Sequence, residues 1–175
     1  RDGRDMYAYH FSGYWKDVGT ISSLWEANME VLDPKNSGID LFDEDWKIYS
    51  RNSGMTGHKI GSDAVIKNSM ITDGCRIDGE VEHSVLFAGV KVAPGAVVKD
   101  AVVMGGTVIK PGAVVEHCII GENAVIGENA KIGVEKEGED KGVATIGPGV
   151  YVGDGATVGS NAMVRENVKD GEEEW

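Results

Sequence analysis

His83, Asp100 and His117 recur at intervals of seventeen residues, so a fold repeating with that period would stack a carboxylate between two histidines along one edge. A histidine on such a surface can act as a general base toward a bound acceptor. Two steps of stacked strands separate the histidines by about 9.6 Å, too far to share a proton directly, and surface corners commonly carry His and Asp for solubility alone. His10 and His58 have no evident partners. Cys75 and Cys118 lack CxxC spacing, and two such thiols make neither a disulfide framework nor a zinc site. Asp17, ahead of a helical pattern, reads on its own as the cap of a turn.

The elements that must position these residues are short and repeated. His83 to Lys99 (HSVLFAGVKVAPGAVVK) is followed without a gap by Asp100 to Glu116 (DAVVMGGTVIKPGAVVE) and His117 to Gly133 (HCIIGENAVIGENAKIG). In units such as Val92-Ala-Pro-Gly-Ala-Val and Ile109-Lys-Pro-Gly-Ala-Val a branched aliphatic residue leads, with a small residue four places on. That is a hexapeptide repeat, the pattern of a parallel β-helix. The unit heads Leu86, Val92, Val98, Val103, Ile109, Val115, Ile120, Ile126 and Ile132 are separated by 6, 6 and 5 residues, which predicts three short strands per coil with one corner cut by a residue.

Coils stacked about 4.8 Å apart bring Leu86, Val103 and Ile120 into one inward ladder and Val92, Ile109 and Ile126 into another. In this register Cys75 falls with Val90, Thr107 and Ala124 at a small inward position, predicting a buried structural thiol, and Cys118 falls with Ser84 and Ala101. Gly and Asn at the corners, as in Gly121-Glu-Asn and Gly127-Glu-Asn, tolerate the positive φ of sharp turns. The register reaches upstream through a shortened copy, Asn68 to Glu82, to Ile60, and resumes downstream at Ile146, Val152 and Val158. Residues 134–144 between are polar and charged, predicting a solvated loop pushed out from a corner, and beyond Val164 the repeat fades into an acidic end predicted to fray.

Seventeen basic against twenty-nine acidic residues give a net charge of −12, which argues against nucleic acid or an anionic membrane as partner. With no candidate membrane span or signal peptide in the sequence, the expectation is a soluble cytoplasmic protein.

Residues 1–33 differ in kind. From Asp17 the sequence predicts a turn and then an amphipathic helix, with Ser23 and Glu26 as a capping box, Ile21, Leu24, Trp25, Ala27 and Val31 on the apolar side, and Pro34 as the stop. Tyr7, Tyr9, Phe11, Tyr14, Trp15 and Trp25 crowd this segment with no complete layer to pack against, so it reads as the tail of another domain. Residues 34–57 read as a linker in which Trp46, Ile48 and Tyr49 alternate like an extended strand.

Gly13-Tyr-Trp-Lys-Asp-Val-Gly-Thr, Glu26-Ala-Asn-Met-Glu-Val-Leu, Trp46-Lys-Ile-Tyr-Ser-Arg, Asn68-Ser-Met-Ile-Thr-Asp-Gly-Cys and Ser84-Val-Leu-Phe occur in this order. Together they resemble the C-terminal portion of bacterial glucose-1-phosphate adenylyltransferases, also called ADP-glucose pyrophosphorylases, over nearly the whole chain. The resemblance implies a mainly β fold: a left-handed parallel β-helix over 58–166 with an inserted loop at 134–144 and an acidic tail at 167–175. Ahead of it would stand the strand and helix that end an α/β nucleotidyltransferase domain. Handedness is implied by the family alone, since the general preference for right-handed crossovers points the other way.

The family joins ATP and glucose 1-phosphate into ADP-glucose and pyrophosphate, the committed step of bacterial glycogen synthesis. Charge built up at the α-phosphorus must be held by a divalent metal and basic side chains. Asp17 matches the family's metal-ligating aspartate near the sugar phosphate, and a hard carboxylate suits Mg2+. Trp15 matches a residue linked to transmitting the activator signal. The family's Gly-rich phosphate loop, second metal aspartate and sugar-phosphate lysine belong to upstream sequence absent here, so the chain alone is expected to be inactive.

The resemblance also implies packing against its own N-terminal catalytic domain and a homotetramer, or a heterotetramer with a poorly catalytic regulatory paralogue. A phosphorylated-sugar activator is a further implied partner, though Arg51, Lys59 and Lys67 read equally as phosphate binders or as surface charge. A hexapeptide-repeat acyltransferase is the alternative enzyme class, and acetyl-CoA binding discriminates it.

Overall fold

The structure is a computed structural model that describes residues 3–50, 52–136, 138 and 141–175. Val and Ile at the unit heads favour extended backbone, and most of the two- and three-residue strands are followed by a turn at Gly or Asn. All strand pairs are parallel, each strand bonding to its equivalent in the next coil. One face is a six-stranded sheet running from Lys59–Ile60 to Tyr151–Val152; the other two are joined in a second sheet.

The register is the predicted one. Leu86, Val103, Ile120 and Ile146 are cross-strand neighbours in turn, as are Val92, Ile109, Ile126 and Val152, and Val98, Val115, Ile132 and Val158. All twelve are at most 1% exposed. Cys75 and Cys118 are buried in the same interior.

Two faces are joined by the seven-residue strands Val97–Val103 and Val114–Ile120, which turn the cut corner at Asp100 and His117. Those residues, with Asn68 and His83, have φ between 38° and 48°. Left-handed backbone is costly for β-branched side chains and tolerated by Asn, Asp and His, so the corner geometry alone accounts for the residue types in this column.

Helix α1 (Ile21–Glu30) begins one turn earlier than the sequence pattern suggests. Its capping box is Thr20 with Ser23, each side chain taking the other's backbone N–H, at 3.1 and 3.0 Å; Glu26 is instead held by Lys16. Pro34 does not stop α1, which ends in a turn at Val31–Leu32; it opens a second short helix, α2 (Pro34–Ser37), where its missing N–H costs nothing. The apolar side of α1 lies on the outside of the solenoid, where Met29 closes a cluster with Val85, Val102, Ile119 and Val143.

Three expectations are corrected. Trp46, Ile48 and Tyr49 form no strand and are 80%, 59% and 86% exposed, because no strand edge lies beside them to complete the backbone bonds. Residues 3–19 likewise run without a paired strand. The acidic end, by contrast, does not fray after Val164: Val168 is buried and bridges to Val152, and Glu173–Glu174 pairs with Thr157 and Val158, adding most of another coil. Lys136 sits over the Trp175 ring at 5.0 Å. Strand pairing stops after Val134 and resumes at Ala144, and Val143 packs against α1; of the inserted loop expected at 134–144, residues 137, 139 and 140 lie outside the described residues.

Candidate functional site

Asp17 lies in the turn leading into α1, where its Oδ1 accepts the Gly19 N–H at 3.1 Å; Thr20, not Asp17, caps the helix. The preceding residues are lashed to the outer side of α1. Lys16 donates to Glu26 at 2.8 Å and to Glu30 at 2.7 Å, and the Tyr14 hydroxyl donates to Glu30 at 2.6 Å. Hydrogen bonds to Glu26 and then Glu30 hold the Lys16 ammonium above its ordinary range, and Lys16 in turn holds the Glu30 carboxyl below its own. Lys16 is therefore committed to structure, while Trp15 projects outward, 76% exposed, beside a shallow cleft it shares with Tyr14, Lys16, Glu30, Asp33 and Asn36. Asp17 does not line that cleft.

As a metal donor Asp17 is exposed and single. One oxygen is engaged by Gly19, and among the described residues no group of three or more His, Cys, Asp or Glu side chains is placed to hold a metal ion. Mg2+ demands near-octahedral oxygen ligation, so these residues do not by themselves fit a metal site.

The corner column is brought together as its spacing predicts. His83 Nδ1 and Asp100 Oδ1 lie 2.7 Å apart. The partner that sequence reasoning missed is Trp25: its indole N–H donates to the Asp100 carbonyl at 2.7 Å, and its ring meets the His117 ring at 4.3 Å between centroids, tilted by 59°. Burial, and then the nearby charge of Lys141, push the His117 imidazole below its ordinary pKa. A histidine covered by an indole is not presented to an acceptor as an acyl-transfer base must be. The signal available in the sequence was the seventeen-residue recurrence of turn-tolerant polar residues beside an amphipathic helix whose large aromatic lacked a partner.

The remaining candidates are structural. The Cys75 thiol donates to the Phe87 carbonyl at 3.1 Å, and burial raises the pKa of both thiols. Lys67 is drawn to Glu80 and Glu82, each at 3.5 Å. Lys59 is exposed and in register with Arg76 and then Lys91, three like charges on consecutive coils. Arg51 lies outside the described residues. Among the described residues no helix is long and apolar enough to cross a membrane.

Residues 54–153 match the family model described as GlmU-like, C-terminal hexapeptide, and residues 1–34 match the nucleotidyl transferase model. A glucose-1-phosphate adenylyltransferase of Clostridium perfringens is 55% identical over 102 residues, covering 58% of this chain and 26% of that protein. Proteins of the same name from Clostridium beijerinckii and Clostridium botulinum are 50% identical over 101 residues, again 58% and 26% of the two chains. The chain thus spans 26% of the length of these curated relatives.

Proposed function

The chain belongs to the GlmU-like C-terminal hexapeptide family, and from that premise we propose that it is the C-terminal assembly and regulatory part of a glucose-1-phosphate adenylyltransferase, inactive alone. The observation that carries this reading is the 55% identity over 102 residues to a protein of that name. A closed aliphatic interior and a helix of the nucleotidyl transferase segment seated on the solenoid favour assembly and regulation over chemistry.

In the parent enzyme the sugar phosphate attacks the α-phosphorus of ATP and pyrophosphate leaves, in a cytoplasmic route to glycogen. Asp17 contributes one carboxylate toward Mg2+, and this role depends on donors outside this chain. Trp15, exposed beside the cleft, is the regulatory residue of the same segment. Lys59 and Lys91, on either side of Arg76 in the same column, suit a phosphorylated-sugar activator better than Lys67, which is drawn to Glu80 and Glu82, or Arg76, which pairs with Asp78 at 3.4 Å. The parent assembles as a homotetramer or with a related subunit. A non-catalytic regulatory subunit is the second reading; the intact Asp17-Val-Gly-Thr run favours the catalytic one.

The test is ADP-glucose formation from ATP and glucose 1-phosphate with Mg2+, comparing the parent protein with its Asp17→Asn form. The variant is expected to lose on the order of a hundredfold or more, as when a charge-stabilising group is removed. No activity in a folded parent would turn the assignment to the regulatory subunit.

A further inference from the structure

Three features that need not coincide meet at one place on the solenoid. The corner column contributes the Asp100 carbonyl and the His117 ring, both turned outward by left-handed backbone. The inserted segment returns at Val143, which is 7% exposed within the same apolar cluster as Met29, Val85, Val102 and Ile119, and Lys141 beside it pairs with Glu135 at 2.7 Å. Helix α1 supplies Trp25, which makes both a hydrogen bond to Asp100 and a ring contact to His117.

The other side of α1 carries Glu26 and Glu30, which hold Lys16 and, through Glu30, Tyr14. Bonded contacts therefore run without a break from the Asp17 turn through the Thr20 cap and α1 to the corner of the solenoid. Apolar packing alone fixes a helix against a surface but leaves it free to slide or roll, because it is non-directional. The indole N–H bond is directional and sets both the rotation and the position of α1 along its axis.

We propose that Trp25 is a positioning residue, the joint through which the solenoid fixes α1 and with it the Asp17 segment for the reaction. The proposal rests on the functional reading above where it concerns the reaction, but the joint itself is testable without it.

The experiment measures backbone amide hydrogen exchange in the chain carrying Trp25→Ala or Trp25→Phe, and steady-state kinetics of the same variants in the parent enzyme. Trp25→Ala is expected to speed exchange of the α1 amides at least about tenfold while strands Val97–Val103 and Val114–Ile120 keep their protection, since a joint releases locally. Trp25→Phe keeps a ring on His117 but loses the donor, and is expected to fall between. In the parent, kcat is expected to drop roughly tenfold with KM for glucose 1-phosphate little changed, the signature of misplaced groups rather than lost binding.

Unchanged α1 exchange in Trp25→Ala, or loss of protection in α1 and the solenoid strands together, overturns the joint. An unaltered kcat despite a loosened helix overturns the positioning role. If the parent forms no ADP-glucose while Trp25→Ala still loosens α1, the functional reading fails and the joint stands.

Discussion

Asp100 and His117 hold φ of 48° and 43°, where a β-branched residue would cost roughly 1–2 kcal/mol. This separates what their side chains do from what their backbone requires, because Asn can replace either without losing the turn. Burial first, and Lys141 second, hold His117 below its ordinary 6.5, with Asp100 and Glu135 opposing them. The folded chain, in which the Trp25 ring lies against His117, therefore prefers a neutral ring. Well above pH 6.5 the ring is neutral in the folded and the unfolded chain alike, and the His117 contribution to stability is fully present. As pH falls through 6.5 the unfolded ring takes up a proton more readily than the folded one beneath Trp25, so this contribution is lost until the folded ring also titrates. The check is α1 amide exchange, corrected for intrinsic rate, across that range. His117→Asn is expected to remove the part of the pH dependence lying below 6.5, and an identical profile in the variant would refute the assignment.

At the scale of elements, the strands are too short to be stable alone, and their stability resides in the ladders. Ile120 is fully buried between Val103 and Ile146, so Ile120→Ala is expected to cost about 2–5 kcal/mol, read from urea unfolding. The backbones approach as tightly as the side chains do. A Cβ on Gly127 would lie 2.5 Å from the Gly153 carbonyl carbon and 2.6 Å from the Asp154 nitrogen, both backbone atoms of the next coil. Gly127→Ala is therefore expected to destabilise by about 1–3 kcal/mol through overpacking, although Ala is ordinarily the better residue in regular structure. A neutral or stabilising Gly127→Ala in the same titration would mean that the coils can spread. Helix α1 differs from the strands, since its Thr20–Ser23 cap and amphipathic pattern are local while its docking depends on the corner of a distant coil.

For the whole molecule, each coil contacts only its neighbours, so stability adds along the stack and the two ends are its weakest points. The central strands Val97–Val103 and Val114–Ile120 have a bonded neighbour on both sides, whereas Lys59–Ile60 and Glu173–Glu174 are terminal in their sheets. Native-state hydrogen exchange is expected to grade from slowest in the central pair to fastest at both ends, with Val168 and its bridge to Val152 intermediate. Uniform exchange across the coils would instead indicate one all-or-none unit. Tyr7, Tyr9, Phe11 and Trp15 are all more than 60% exposed, a run of apolar surface suited to a covering partner; the nucleotidyltransferase domain is the partner the proposed function supplies.

The hexapeptide spacing by itself determined the coil, its register and the inward ladders, because a repeated β-branched head every five or six residues admits one way of burying them all. Cys75 went inward for the same reason, whereas the register placed Cys118 only with Ser84 and Ala101, and the structure shows it buried as well. The α1 helix was legible too, but not its first turn, since Thr20 and Ser23 compete on equal terms as caps until the turn at Gly19 sets the path of the chain. Only the tertiary structure decided that Asp100 and His117 form a seat for Trp25 rather than an open catalytic edge, because that depends on a contact spanning seventy-five residues. It also decided that Trp46, Ile48 and Tyr49 stay unpaired and that the acidic end completes a coil. Alternation and acidity are local properties, whereas a strand exists only where another backbone lies beside it to accept its hydrogen bonds.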